Sequence, residues 1–157
     1  KAELERTLGW IREEIKDSPI SIPLGTMIET PRAALIAGDL APLVDFMSFG
    51  TNDLTQMTYG FSRDDVEASV IKKYIEMDIL QESPFAQLDA LGVGKLVQEA
   101  INSSRAINPE IKIGICGEHG GDPTSIRLLA NSGVDYVSCS PPRIPIARLV
   151  CAQESLK

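Results

Sequence analysis

The sequence holds a single histidine and only three cysteines, Cys116, Cys139 and Cys151, with no two in C-x-x-C spacing. That shortage excludes a disulfide framework and the common structural zinc schemes. Long apolar runs are also lacking. Gly, Pro or a charge interrupts each one well short of the ~20 residues that a membrane-spanning helix needs. Lys1 to Lys16 mixes charges around no apolar centre, unlike a signal peptide. Basic charge is in deficit, with 15 Lys and Arg against 22 Asp and Glu for a net charge of −7. A phosphate backbone requires a basic face, so nucleic acid is not the expected partner, whereas a small anion needs only local positive charge. What remains, at 43% hydrophobic and 24% charged over 157 residues, has the size and balance of one globular domain. Unpaired cysteines point to a reducing, cytoplasmic compartment. The first residue is not Met, so a processed chain or a piece of a longer one is expected.

What is present is an alternation of strand and helix. Leu4, Leu8, Ile11 and Ile15 share one face of a predicted helix over Lys1 to Asp17. Predicted strands follow at Ile20 to Glu29, Val44 to Gly50, Lys112 to Gly117 and Tyr136 to Ser140. Thr30-Pro31, Asp122-Pro123 and Ser140-Pro141 read as helix starts, in which a side-chain oxygen caps and proline occupies the first turn. Helices are expected at Pro31 to Ala37, Pro123 to Asn131 and Pro142 to Gln153, with Gly38 and Gly133 as stops. The long connection from Leu54 to Glu110 carries a loop and two further helices, near Val66 to Met77 and Val93 to Ile107. No internal repeat beyond the βα alternation is expected. The pattern is α/β with a parallel sheet, and four βα units fit half of an eight-stranded barrel or an open sheet equally well.

In such an array the carboxyl ends of the strands open on one face, where sites form. That face receives Glu29, then Gly50-Thr51-Asn52-Asp53, then Cys116-Gly117-Glu118-His119. Glu29 and Asp53 could share a hard cation such as Mg²⁺; alternatively Asp53 caps a helix and Glu29 is merely solvated. Gly50 to Asp53 could cradle an anion on successive amides, or form an ordinary turn. Cys116 could exchange a proton, or be a small core residue like Cys139 and Cys151. His119 could act as an acid or shape its glycine-rich turn.

Three longer strings narrow the choice. G-T-M-I-E-T-P-R-A-A-L at Gly25 to Leu35, S-F-G-T-N-D-L-T-Q-M-T at Ser48 to Thr58 and G-I-C-G-E-H-G-G-D-P at Gly114 to Pro123 resemble the phosphoenolpyruvate-utilising enzymes. T-Q-M-T-Y-G-F-S-R-D-D at Thr55 to Asp65 and the E-H-G-G-D-P loop resemble the pyruvate phosphate dikinase branch, rather than phosphoenolpyruvate synthase or Enzyme I of the sugar phosphotransferase system. The resemblance implies that the chain is the C-terminal half of a (β/α)8 TIM-type barrel, with residues 1–157 forming part of a phosphoenolpyruvate/pyruvate-binding domain. It implies Mg²⁺ on Glu29 and Asp53, substrate contacts from Glu29, Gly50, Thr51, Asn52 and Asp53, and Cys116 as proton donor to the enolate. It further implies a phosphohistidine domain elsewhere in a parent enzyme as partner, homodimerisation through the barrel, and a plastid location if the source is a plant. The phosphohistidine and nucleotide-binding domains have no counterpart in these residues, so the isolated chain is expected to be inactive. His119 is not matched to the phosphocarrier, and Arg32, Arg143 and Arg148 match structural positions. A fragment that binds Mg²⁺ and a carboxylate without chemistry, or a purely structural one, is the competing expectation.

Overall fold

In the computed structural model, which describes residues 1–157, four parallel strands form one sheet in the order β1-β2-β3-β4. These are β1 (Gly25–Ile28), β2 (Phe46–Gly50), β3 (Lys112–Cys116) and β4 (Tyr136–Val137). The helices are α1 (Ala2–Ile15), α2 (Pro31–Leu35), α3 (Ala37–Leu40), α4 (Thr51–Tyr59), α5 (Arg63–Val66), α6 (Lys72–Glu76), α7 (Val93–Ile107), α8 (Pro123–Ser132) and α9 (Ile144–Glu154). No helix is long and apolar enough to cross a membrane.

Successive side chains on a strand point to opposite faces. Ile28, Met47, Phe49, Ile113 and Ile115 are buried together against the helices, chiefly α3 and α7. The alternate positions point the other way, onto a face that nothing covers: Met27 is 45% exposed and Tyr136 37%. A parallel sheet ordinarily buries both faces. Helices on the outside, a bare inner face and sequential parallel order are together the signature of half a (β/α)8 barrel.

The sheet is built twice from one pattern, which corrects the expectation of no internal repeat. Val44-Asp45-Phe46-Met47-Ser48 parallels Val134-Asp135-Tyr136-Val137-Ser138. In the first unit the Asp45 amide donates to the Leu24 carbonyl at 2.8 Å, and the Leu24 amide donates to Asp45 Oδ2 at 2.7 Å. In the second, the Asp135 amide donates to Ile113 O at 2.6 Å and the Ile113 amide to Asp135 Oδ2 at 2.7 Å. The next residue in each unit is aromatic and lies over a glycine, with Gly25 paired to Phe46 and Gly114 to Tyr136. A Cβ on Gly25 would come within 2.4 Å of the Phe46 ring, and one on Gly114 within 2.1 Å of Tyr136. Small against large is how the inside of a barrel fills.

Other expectations shift in detail. The first strand starts at Gly25 rather than Ile20, because its neighbour offers ladder partners only from Phe46 onward. Pro19 and Pro23 have no N–H to donate, and Ile20 and Ile22 are exposed. The fourth strand pairs only at Tyr136 and Val137, with one further bond from the Ser138 amide to Ile115 O. Gly38 does not stop a helix. It lies inside α3, where a Cβ would come 3.0 Å from the Ser103 carbonyl, so glycine permits α3 and α7 to approach closely. The helix expected near Val66 to Met77 is present as a continuous run from α5 through α6, with a π turn at Glu67–Ile71 in its middle. Thr30 and Asp122 cap their helices through their side chains, whereas Ser140 makes no such bond.

Candidate functional site

Three neighbouring strand ends bring the predicted residues together. Glu29 follows β1 and is half-buried, and Gly50 ends β2 directly beside it. A Cβ on Gly50 would lie 2.8 Å from the Glu29 Cβ and 2.9 Å from its Oε2. Only glycine there lets the Glu29 carboxylate rest against the start of α4. Gly50 is also the N-cap position of α4, and no side chain caps that helix. The expected cap role for Asp53 is therefore not realised. Asp53 sits in the first turn, where the helix dipole favours a negative charge. It is exposed, and its Oδ1 accepts from Gln56 Nε2 at 2.9 Å.

Side chains from the first turn of α4 lock the loop after β3 in place. Thr51 Oγ1 lies 3.0 Å from the Cys116 carbonyl oxygen. Asn52 Oδ1 accepts from the Glu118 amide at 3.1 Å. That bond fixes the orientation of the Asn52 amide and leaves its Nδ2 donors for something else. Gly117 lies beneath both, with a φ of 110°. A Cβ on it would come 2.8 Å from Thr51 Oγ1 and 3.0 Å from Asn52 Oδ1. The Cys116 thiol ends β3 half-buried, with Sγ 3.6 Å from the Phe49 carbonyl and 3.6 Å from Met27 Sδ.

The sequence allows His119 two roles, an acid or a shaper of its glycine-rich turn. Here it is fully buried with both ring nitrogens partnered. Nδ1 lies 2.8 Å from Thr51 Oγ1 and Nε2 2.9 Å from the Pro84 carbonyl oxygen. Burial holds its pKa below the ordinary histidine value; the Pro84 bond and the nearby Asp122 and Glu118 work against that shift, while Arg63 adds to it. Nothing local in the sequence could have revealed this link, because its partners come from two other segments of the chain.

A cleft of about 240 Å³ opens beside Cys116 and is lined by Gly117, Glu118, Gly121, Ser138, Ser140 and Arg143 among others. Arg143 is tied back to the Gly121 carbonyl at 3.1 Å. Two larger hollows, of about 390 and 430 Å³, flank β4 and contain none of Glu29, Gly50 or Asp53. Size therefore does not mark the candidate site; Glu29, the start of α4 and the Cys116 thiol at adjoining strand ends do. No group of three or more His, Cys, Asp or Glu side chains gathers as a metal centre. Glu29 and Asp53 offer hard oxygen donors only, a set that suits a cation taking its remaining ligands from substrate and water.

The profile of the family described as "PEP-utilising enzyme, PEP-binding domain" matches residues 1–156. The pyruvate, phosphate dikinase 1, chloroplastic, of Arabidopsis thaliana is 56% identical over 138 residues, covering 88% of this chain and 14% of the relative. Pyruvate, phosphate dikinase 2 of Oryza sativa subsp. japonica is 54% identical over an alignment of 160 residues, covering 98% of this chain and 18% of the relative. Pyruvate, phosphate dikinase 2 of Zea mays is 57% identical over 134 residues, covering 85% and 15%. The chain thus spans less than a fifth of the length of the curated relatives it matches.

Proposed function

We propose, from the premise that this chain belongs to the phosphoenolpyruvate-utilising enzymes and matches their phosphoenolpyruvate-binding domain, that it forms the phosphoenolpyruvate/pyruvate half-reaction site of a pyruvate phosphate dikinase. The observation that carries this reading is the seam between β2 and β3, where Thr51 and Asn52 fasten the loop that follows Cys116.

The first amides of α4 and the free Nδ2 of Asn52 bind the substrate's anionic oxygens, aided by the positive end of the helix dipole. The Thr51 hydroxyl is engaged by Cys116 and His119, so Thr51 contributes its amide. Glu29 and Asp53 would hold Mg²⁺, which when bound supplies Lewis-acid stabilisation to a developing enolate. Loss of the phosphoryl group from phosphoenolpyruvate leaves pyruvate enolate, and the Cys116 thiol gives its proton to the methylene carbon. In the opposite direction the Cys116 thiolate removes a methyl proton from pyruvate. The phosphoryl group passes to a histidine on a separate domain of the parent protein, and the first half of the barrel completes the wall around the substrate. Dimerisation through the barrel and residence in the cytoplasm, or in a plastid as the names of some relatives state, belong to the same proposal.

The test is exchange of the pyruvate methyl protons in D2O, followed by NMR on the parent protein with Mg²⁺. Exchange is expected to need both the cation and Cys116, with Cys116→Ala lowering its rate by about 10²- to 10⁴-fold, the usual contribution of a positioned acid or base. Exchange that persists undiminished in that variant would remove Cys116 from the mechanism. Within the same reading, a fragment that binds without turnover would show Mg²⁺-dependent oxalate binding and no exchange.

A further inference from the structure

His119 is the one titratable side chain of this region that is completely buried, and the reaction as described makes no use of it. Its ring joins three parts of the chain. It is itself in the turn Glu118–Gly121 after β3, Nδ1 meets the first residue of α4, and Nε2 meets Pro84 in the connection between α6 and α7. A carbonyl oxygen can only accept, so Nε2 carries the ring proton and donates to Pro84. Nδ1 is then an acceptor. The Thr51 hydroxyl has one hydrogen and two acceptors in reach, Nδ1 at 2.8 Å and the Cys116 carbonyl at 3.0 Å. Its one hydrogen serves one of the two at a time, so Thr51 Oγ1 stands between His119 and the residue that carries the thiol, in contact with both.

We propose that His119 is a positioning residue for Cys116, acting through Thr51: buried between Pro84 and Thr51, it fixes where Thr51 Oγ1 stands against the end of β3 and so aims the thiol at the substrate carbon. The inference rests on the assignment of Cys116 above. Gly117 has no Cβ and a φ of 110°, so the peptide after Cys116 has wide conformational freedom unless something outside the strand restrains it. The restraints present are Thr51 on the Cys116 carbonyl, Asn52 on the Glu118 amide and His119 itself. Of these only His119 reaches a third segment. Small displacements at a reacting atom cost rate steeply, whereas the anion cradle on α4 does not depend on the ring.

The two ring nitrogens can be separated by substitution in the parent protein. His119→Asn keeps a group at the Nδ1 position toward Thr51, and His119→Gln keeps one at the Nε2 position toward Pro84. Three quantities are read for each: Mg²⁺-dependent proton exchange of pyruvate, its KM and kcat, and the alkylation rate of Cys116 by iodoacetamide across pH without metal or substrate. His119→Gln is expected to lower kcat for exchange by about 10- to 100-fold with KM within about twofold, and to change the alkylation profile. His119→Asn is expected to stay within about threefold of the parent in kcat. Thr51→Val should match His119→Gln, and combining the two should add little, because both break one chain of contacts.

Equal loss in the Asn and Gln variants in proportion to lost stability, a change confined to KM, or additive effects with Thr51→Val would overturn the inference. So would unaltered exchange and alkylation in His119→Gln. Cys116→Ala distinguishes the two levels. If exchange survives it, the assignment of Cys116 fails. If exchange is lost there while both His119 variants behave as the parent, only the positioning role fails.

Discussion

Gly117 occupies a backbone region, φ 110° and ψ −178°, that is essentially reserved for glycine. Gly117→Ala combines that strain with contact against Thr51 Oγ1 and Asn52 Oδ1. Its expected cost is about 1–3 kcal/mol of domain stability, measured as a fall in the domain's thermal transition, with exchange activity falling further than stability alone explains. His119 makes a different prediction, on pH. Burial lowers its pKa in the folded state below the ordinary value of 6.5. Between that lowered value and 6.5 the unfolded chain binds more protons than the folded one. The stability due to the neutral ring is therefore complete above about 6.5 and drains away as the solution is acidified through the window below it. Melting temperatures recorded from pH 7.5 down to 5 should fall more steeply for the parent than for His119→Asn, and parallel curves would contradict this. The end of the third strand at Cys116 and the glycine-rich turn after it were legible in the sequence. The burial of the histidine was not, since it depends on Thr51 and Pro84 being folded against it.

At the scale of elements, the helices with strong signals were readable. α7 begins and ends at Val93 and Ile107 as its apolar period indicates, and Thr30 and Asp122 cap as their position before proline implies. Gly133, at φ 87°, ends α8 as expected of a left-handed cap. Misreadings arose where tertiary contact overrides local pattern. Gly38 serves the α3–α7 crossing, and the early residues of the first strand lack a neighbour. The paired aspartates Asp45 and Asp135 escaped notice because each looks like an ordinary loop residue until its strand partner is placed beside it. They are expected to differ in weight. The Asp135 side chain is 28% exposed and also meets Arg105 at 3.0 Å, whereas Asp45 is exposed. Asp135→Ala should cost about 1–3 kcal/mol, the scale for stranding a partly buried amide and its charged neighbour. Asp45→Ala should cost clearly less, and denaturant midpoints of the two variants give the comparison.

For the whole molecule, the sequence could supply four βα units but could not choose between an open sheet and half a barrel by periodicity. The choice follows from the uncovered inner face, with Met27 and Tyr136 exposed on it, and from two sheet edges that nothing closes. Unpaired strand edges recruit further strands. Expressed alone, residues 1–157 should sediment as an associating species rather than as a monomer, and co-expression with the remaining half of the barrel should suppress that association. Analytical ultracentrifugation decides it: a monomer with a cooperative melt would mean that the exposed face and edges are tolerated without a partner.

The doubled pattern of the sheet also sets its two units side by side. If the β1–β2 and β3–β4 units are superposed on their shared glycine, Met27 in the first stands where Cys116 stands in the second. Likewise Gly50-Thr51-Asn52 in the first unit stands where Ser140-Pro141-Pro142 stands in the second. The second unit has the thiol and prolines at the helix start, while the first has free helix-start amides and a thioether. The two sulfur atoms lie 3.6 Å apart across the seam. The β2–β3 seam, where Gly50 pairs with Cys116, is thus where the thiol of one unit meets the helix-start amides of the other.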